Sequence, residues 1–450
     1  MDLSRPFRLR ILSLLGASLL AVAAKAQDDS YSVYEIPDRL DLQTALQFAA
    51  EHNFEILKAK QRIEEQNGLI IEVRAQALPD LSVNGQYIEL DEGLSEFAPP
   101  PSSQWGVSLD VRQTLYSGGG VRAALNVQSL IEDAALLELQ SVIDDVLLLT
   151  RQGFYGALLA RQEIEVQEDN VTLLEELLKN AQDRFDVGSG TRFEVLRAEV
   201  ELANARPALI QARNDYRIAI EELRQILGFV AADGVALHKV PELVGDLPYS
   251  PITYDLSGAI EQALQIRPEL KRLQKVEEAR EEGVVIAKSG LRPEVSLVGS
   301  YEANKPTYSS SFDRARHGWT AGVQVNVPIF DGRRARGQII QAKSQLAQAE
   351  LETRQLSLAI EVEVRRALSE LQAATELAQA SIKVVEQAEE ALRLADARYE
   401  AGEASQLDVL QARVSLTEAR LNQAQAFYRY NVGEAQVRRA IGIADPYVER

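Results

Sequence analysis

The chain is written twice. Residues 42–228 superimpose on residues 256–442 without a gap, and every matched pair lies 214 positions apart, as Pro293 does from Pro79. Gly85 pairs in this way with Gly299, Tyr87 with Tyr301, Trp105 with Trp319, Gly118 with Gly332, Arg184 with Arg398, Gly188 with Gly402, Tyr216 with Tyr430 and Gly228 with Gly442. Glycine, proline and tryptophan mark the positions where backbone conformation or packing is most particular, so their recurrence at one offset points to two copies of one folding unit. The halves are placed at residues 40–228 and 254–442, joined by a linker at 229–253 that holds Pro241, Pro248 and Pro251, with a short tail at 443–450.

Each half reads helix, strand, strand, long helix, turn, helix. A helix is expected over residues 43–77, ended by Leu78-Pro79-Asp80, because the residue before a proline is pushed to an extended conformation. Strands are expected at about 81–91 and 105–115. In the first, Leu81, Val83 and Tyr87 alternate with Ser82, Asn84 and Gln86; in the second, Trp105, Val107, Leu109 and Val111 alternate with Gly106, Ser108, Asp110 and Arg112. The second half repeats them at about 295–304 and 319–329, through Val295, Leu297 and Tyr301 and then Trp319, Ala321, Val323 and Val325. A strand of about ten residues with one apolar face is what a tilted strand needs to cross a bilayer. A soluble hairpin would alternate in the same way. The membrane reading is favoured by an N-terminal secretory signal, by the polar loops at 92–104 and 305–317, and by the chain's two tryptophans at matched strand ends, where interfacial aromatics belong.

Residues 120–186 and 334–400 contain almost no helix breaker. At 1.5 Å per residue, each predicts a rod of roughly 100 Å. Near their distal ends, apolar residues fall at Val171, Leu174, Leu178, Ala181 and Phe185, and at Val385, Ala388, Leu392, Ala395 and Tyr399. Both runs are spaced three, four, three, four, the seam of a coiled coil. Shorter return helices at 192–227 and 406–441 complete two long hairpins that project away from the strands.

At the N-terminus Arg5, Arg8 and Arg10 precede an apolar run at 11–24 and the small residues of Ala24-Lys25-Ala26, the pattern of a cleaved signal at 1–26. An uncleaved anchor would need a longer run. The 450-residue chain carries 48 Lys+Arg against 67 Asp+Glu, and loss of the signal changes its net charge from −19 to about −22. That acidity disfavours a nucleic-acid partner. With no cysteine the chain forms no disulfide and has no thiol for a lipid anchor, so it is not a lipoprotein. His52, His238 and His317 are too scattered for metal-ligand spacing, and no phosphate loop or nucleophile elbow suggests an enzyme. Beyond the signal no stretch reaches the ~20 apolar residues of a spanning helix, so insertion is expected as β-strands. Four strands cannot close on themselves, which calls for several chains sharing one barrel.

The hairpin tips carry a family resemblance. RFDVGSGTRFEVLRAEVELANAR from Arg184 and RYEAGEASQLDVLQARVSLTEAR from Arg398 resemble the two tip motifs of TolC-like outer-membrane factors. The likeness runs from about Leu40 to Gly442 and takes in Gly118-Gly119-Gly120, Asp331-Gly332 and the helix endings at Gly228 and Gly442. It implies a mainly α fold with a transmembrane β-barrel: a homotrimer whose twelve-stranded barrel takes four strands per chain, continued by a long periplasmic coiled-coil barrel that narrows at the tips. It also implies the exit duct of a tripartite efflux pump or a type I secretion system, passive and without cofactor. The partners would be a periplasmic adaptor, an inner-membrane pump of RND or ABC type, and outer-membrane lipid. A structural periplasmic spacer without a pore is the alternative.

By the same resemblance Arg184, Gly188, Thr191 and Arg398, Gly402, Ser405 would meet the adaptor, and Glu194 and Asp408 would turn acidic groups into the closed periplasmic mouth. Local chemistry also accounts for them, since Thr191-x-x-Glu194 is a capping box and Ser405-x-x-Asp408 resembles one. Tyr399 would hold the mouth shut by hydrogen bonding or pack in the seam. Gln411 stands where some members carry a second acidic gate residue, and Ala404 and Phe193 stand where some carry an arginine and a threonine.

Overall fold

A computed structural model describes residues 38–89, 103–229, 241–305 and 315–448. The expected signal, most of both polar loops and part of the expected linker lie outside them. The first half comprises β1 (Arg39–Leu40), α1 (Leu42–His52), α2 (Phe54–Ala75), β2 (Asp80–Glu89), β3 (Ser103–Ser117), α3 (Gly120–Asp186) and α4 (Arg192–Leu227). After β4 (Glu242–Leu243), which pairs in parallel with β1, the second half supplies α5 (Leu256–Ile266), α6 (Pro268–Ser289), β5 (Glu294–Asn304), β6 (Arg316–Asn326), α7 (Arg334–Glu400) and α8 (Gln406–Ile441).

The helix expected at 43–77 is two helices. Asn53 is extended (φ −62°, ψ 131°), its side-chain oxygen accepts from the Glu55 N–H at 2.8 Å, and its amide donates to the Ile226 carbonyl at 2.6 Å. The matched residue Arg267 is extended too (φ −57°, ψ 126°), with Pro268 at the first helical position. Each break admits the end of a return helix. Gly228, in the left-handed region at φ +79°, closes α4 so tightly that an added Cβ would lie 2.6 Å from the His52 carbonyl.

Chemistry at the two breaks diverges. Around Arg267, 3% exposed, the first half's neutral amide is replaced by an ion network. Arg267 donates to Glu269 at 3.0 Å and to Glu363 at 2.6 Å, while Arg439 reaches Glu363 at 2.7 Å, Glu269 at 2.8 Å and Asp145 of α3 at 2.8 Å. Burial pushes the Glu269 carboxyl up, but Arg267 and Arg439 outweigh it and hold it below the ordinary range.

The four long strands form one antiparallel sheet in the order β2-β3-β5-β6. Its register sorts the side chains by face. Val83, Leu109, Tyr301 and Trp319 stand in one cross-strand row, and Ser82, Asp110, Ser300 and Thr320 in the next. Directly paired residues share a face and neighbours along a strand do not, so one side of the sheet is apolar and the other polar. The strand ends differ from expectation. β3 gains residues at both ends, helped by a bulge between Thr114 and Tyr116, whereas β6 stops at Asn326 rather than 329. Pro328, matched to Thr114, has no N–H for the ladder. Both tryptophans therefore stand inside their strands, Trp105 two residues into β3 and Trp319 three into β6, directly opposite Tyr87 and Tyr301.

The helical core lies below the sheet. One cluster gathers Leu40, Ile56, Phe154, Leu158, Leu223 and Leu227; a second gathers Ile360, Val364, Leu371, Tyr430, Val437 and Ile441. Each such side chain contributes about 1.5–3 kcal/mol by leaving water. The linker is tied to this core, for Tyr430 donates to the Ser250 carbonyl and Asn431 to that of Pro248. From there α3 and α7, 67 residues each, run out beside α4 and α8 as two antiparallel hairpins.

Gly188 at the first tip has φ +79°, like Gly228, but open space around its Cβ position. Alanine at either site meets a left-handed penalty of roughly 1–2 kcal/mol, and only Gly228→Ala also drives a methyl into backbone. Urea unfolding followed by helix circular dichroism should give a lower midpoint for Gly228→Ala than for Gly188→Ala.

Candidate functional site: the hairpin tips

The two tips are built alike because the same residues end and restart the helices. At the first, the Arg184 carbonyl accepts from the N–H groups of Ser189 and Gly190, both at 2.9 Å, as Gly188 turns the chain. At the second, the Arg398 carbonyl accepts from Glu403 at 2.8 Å and Ala404 at 3.2 Å around Gly402. These bonds satisfy carbonyls that a bare helix end would leave open.

The next helix starts on a reciprocal cap in each case. The Glu194 N–H donates to Thr191 Oγ1 at 3.3 Å and the Thr191 N–H to Glu194 Oε2 at 2.8 Å. Likewise the Asp408 N–H donates to Ser405 Oγ at 3.3 Å, while the Ser405 N–H and hydroxyl both donate to Asp408 Oδ2 at 2.8 Å. The Ser405 N–H, then its hydroxyl, hold the Asp408 carboxyl below its ordinary value of 3.8.

The hairpins are fastened to each other just behind the turns. Leu174, Leu177, Ala198 and Leu202 of the first pack against Leu392, Tyr399, Val409 and Leu410 of the second. Tyr399, 9% exposed, lies within this core, and the Arg184 guanidinium sits over its ring, 4.8 Å from the centroid. Burial pushes the Tyr399 hydroxyl's pKa up, and Arg184 opposes the rise. Gln406 donates to the Glu194 carbonyl at 3.1 Å. Deeper in, the buried Arg413 donates to the Leu173 carbonyl and stands 3.7 Å from Asp396, while Arg420 joins Asp169 at 3.1 Å to Glu389 at 2.9 Å.

The structure thus brings Arg184, Gly188, Thr191, Glu194, Arg398, Tyr399, Gly402, Ser405 and Asp408 together at one end, with Asp408 and Gln411 exposed and Glu194 half-buried. Trp105 and Trp319 belong to the sheet at the other end. Sequence reasoning missed Gln406 and Arg413. The signal for Arg413 was a charge reversal, since its matched residue is Glu199; Gln406, matched to Arg192, gave none that separates it from a solvated helix start. Among the described residues no three His, Cys, Asp or Glu side chains group to hold a metal, and no helix is long and apolar enough to cross a membrane.

A sheet with one apolar face, joined to paired hairpins that end in these tips, has relatives. The profile of the outer membrane efflux protein family matches residues 45–229 and 259–443, one match for each half. The chain belongs to this family. It is 29% identical over 270 residues to the outer membrane efflux protein BepC of Brucella suis biovar 1, an alignment covering 59% of this chain and 56% of that one. It is 24% identical over 404 residues to the pyoverdine export outer membrane protein OpmQ of Pseudomonas putida, covering 86% and 82%. Among solved structures, the CmeC outer membrane channel of Campylobacter jejuni superimposes with a TM-score of 0.76 at 17% identity, covering 89% of this chain and 85% of that one. The described part of this outer membrane efflux protein thus has the fold of a known outer-membrane channel.

Thr191→Ala should cost about 1 kcal/mol at the first tip, read as faster deuterium uptake by peptides spanning residues 188–196. The second cap carries a pH signature. Because the Asp408 carboxyl is depressed in the folded state, its contribution is present above the ordinary value of 3.8 and is lost as pH falls through the lower folded value. Acid proteolysis within residues 401–405 should rise over that interval in the wild type and show no such rise in Asp408→Asn.

Proposed function

We propose that three copies of the chain form one outer-membrane channel, the passive exit duct of a tripartite efflux pump or type I secretion system. The observation that carries this reading is the sheet. It has an apolar face, a polar face and, among the described residues, two rim strands, β2 and β6, that pair on one side only, and an open edge in lipid costs several kcal/mol per unbonded group. Copies joined edge to edge put the apolar face toward lipid and the polar face toward a lumen. Three copies give the twelve-stranded barrel of the family resemblance, with Trp105 and Trp319 assigned to the membrane interface.

The helical hairpins then cross the periplasm. Their tips, through Arg184, Gly188, Thr191 and Arg398, Gly402, Ser405, are the assigned docking element for a periplasmic adaptor. An inner-membrane pump of RND or ABC type supplies the energy, and the duct itself performs no catalysis. BepC is named as an efflux protein and OpmQ as an export protein, which supports this assignment. Glu194 and Asp408 are assigned to the periplasmic mouth, two carboxylates per chain, where they would attract cations and oppose anions. Gln411, one turn beyond Asp408, contributes a neutral amide there. Tyr399 acts from behind, by holding the two tips together through Arg184.

Purified protein in detergent should run as a heat-modifiable trimer and conduct ions in planar bilayers; a non-conducting protein would instead be a periplasmic spacer. Glu194→Gln with Asp408→Asn, which keeps acceptor oxygens for both caps, should lower the potassium-to-chloride permeability ratio roughly two-fold or more. An unchanged ratio removes these carboxylates from the mouth.

A further inference from the structure

The polar face of the sheet carries one charge whose setting differs from the rest. Asp110 lies midway along β3, an interior strand, in the cross-strand row of Ser82, Ser300 and Thr320. Its Oδ2 accepts from Ser108 Oγ at 2.6 Å and from Asn84 Nδ2 at 2.8 Å, and its Oδ1 from Ser300 Oγ at 2.7 Å. Donors from three adjacent strands fix the carboxylate's orientation. All of them are neutral. Among the described residues no basic side chain pairs with it: Arg112, two residues along the same strand, faces Glu294 at 3.6 Å, and the nearby charge in the adjoining row of this face is another acid, Glu302. Neutral donors orient a charge without cancelling it, so a net negative charge stands on the polar wall. The matched position in the second half is Gln324, which shows that the strand geometry does not itself demand an acid there.

We propose that Asp110 is a specificity-determining residue of the channel: a fixed charge on the lumenal wall of the barrel that favours passage of cations over anions, separate from the carboxylates at the hairpin tips. The inference rests on the trimeric channel proposed above, in which symmetry places three such carboxylates at one height around the lumen. Low-dielectric walls focus the field of a fixed charge into the water between them, so a ring of three acts on every permeating ion. A purely structural role, pinning β2, β3 and β5 together, would need the hydrogen bonds but not the charge.

Reversal potentials in a potassium chloride gradient separate the two. Asp110→Asn keeps an acceptor oxygen and the size of the side chain; it should lower the potassium-to-chloride permeability ratio roughly two-fold, with trimer stability close to wild type. The absence of cysteine allows a second arm. In Asp110→Cys the introduced thiol is the only one in the chain, and a water-soluble anionic thiosulfonate should restore cation preference where a neutral reagent of similar size does not. A conducting Asp110→Asn trimer with unchanged selectivity, or an introduced thiol that no aqueous reagent reaches in open channels, overturns the inference and leaves the channel intact. A wild-type protein that forms no pore overturns both.

Discussion

The strands at the rim of the sheet, β2 and β6, present ten and eleven residues of backbone that, among the described residues, pair with another strand on one side only. In water such an edge is tolerable. In hydrocarbon a few unbonded groups outweigh the roughly 5–15 kcal/mol that holds an ordinary domain folded. The remedy is set by direction as well as by need. Every pairing in the sheet is antiparallel, so with four strands β2 and β6 run in opposite senses. The β2 edge of one copy can then meet the β6 edge of the next in the same antiparallel register type, head to tail, until the ring closes. An odd strand count would force a parallel seam at every junction. The even count, itself a product of duplication, is what makes a seamless ring of identical chains available.

Duplication supplies two equal halves, but one chain must also join them, and the halves have diverged where they meet. Asn53 and Arg267 occupy the same break in the same conformation, yet the first is satisfied by one carbonyl and the second anchors an ion network that reaches Asp145 of the first half through Arg439. The tips repeat the pattern. Gln406, Arg413 and Tyr399 replace Arg192, Glu199 and Phe185, and each of the three contacts the first hairpin. Shared apolar residues such as Leu202 and Val409 pack one hairpin on the other, and the unshared ones add polar and ring contacts that fasten the halves together. Buried ion networks are costly to break once one partner is removed, so this division also makes the join specific.

What could be read from sequence follows the same boundary between local and long-range causes. The long helices were legible because their ends carry their own instructions: glycine in the left-handed turn, then a threonine or serine with an acid three residues on. Strand faces were legible because alternation is a property of one strand. The break at Asn53 was not, since its cause is the Ile226 carbonyl, 173 residues away, and the periodic apolar pattern runs straight through it. Pairing of β3 with β5 across the halves, and the three donors that converge on Asp110, were equally hidden, because each depends on which strands become neighbours. At the tips the turn residues were evident one by one. The stacking of Arg184 on Tyr399 was not, as it joins residues of different hairpins.

The two accounts of the tip carboxylates, helix punctuation and mouth charge, are physically complementary. At Asp408 the cap needs only an acceptor oxygen, but the N–H and hydroxyl of Ser405 that donate to it favour the ionised form. Asp408 shows the consequence, its pKa held down by Ser405 with a further small contribution from Arg398. Its cap lies on one oxygen, Oδ2, and the side chain remains exposed, so its field still reaches the surrounding water. A neutral cap of similar shape would make the same turn without that field. The turn therefore favours the ionised form of Asp408, and under the proposed assembly that charge is presented where the tips of the three chains converge.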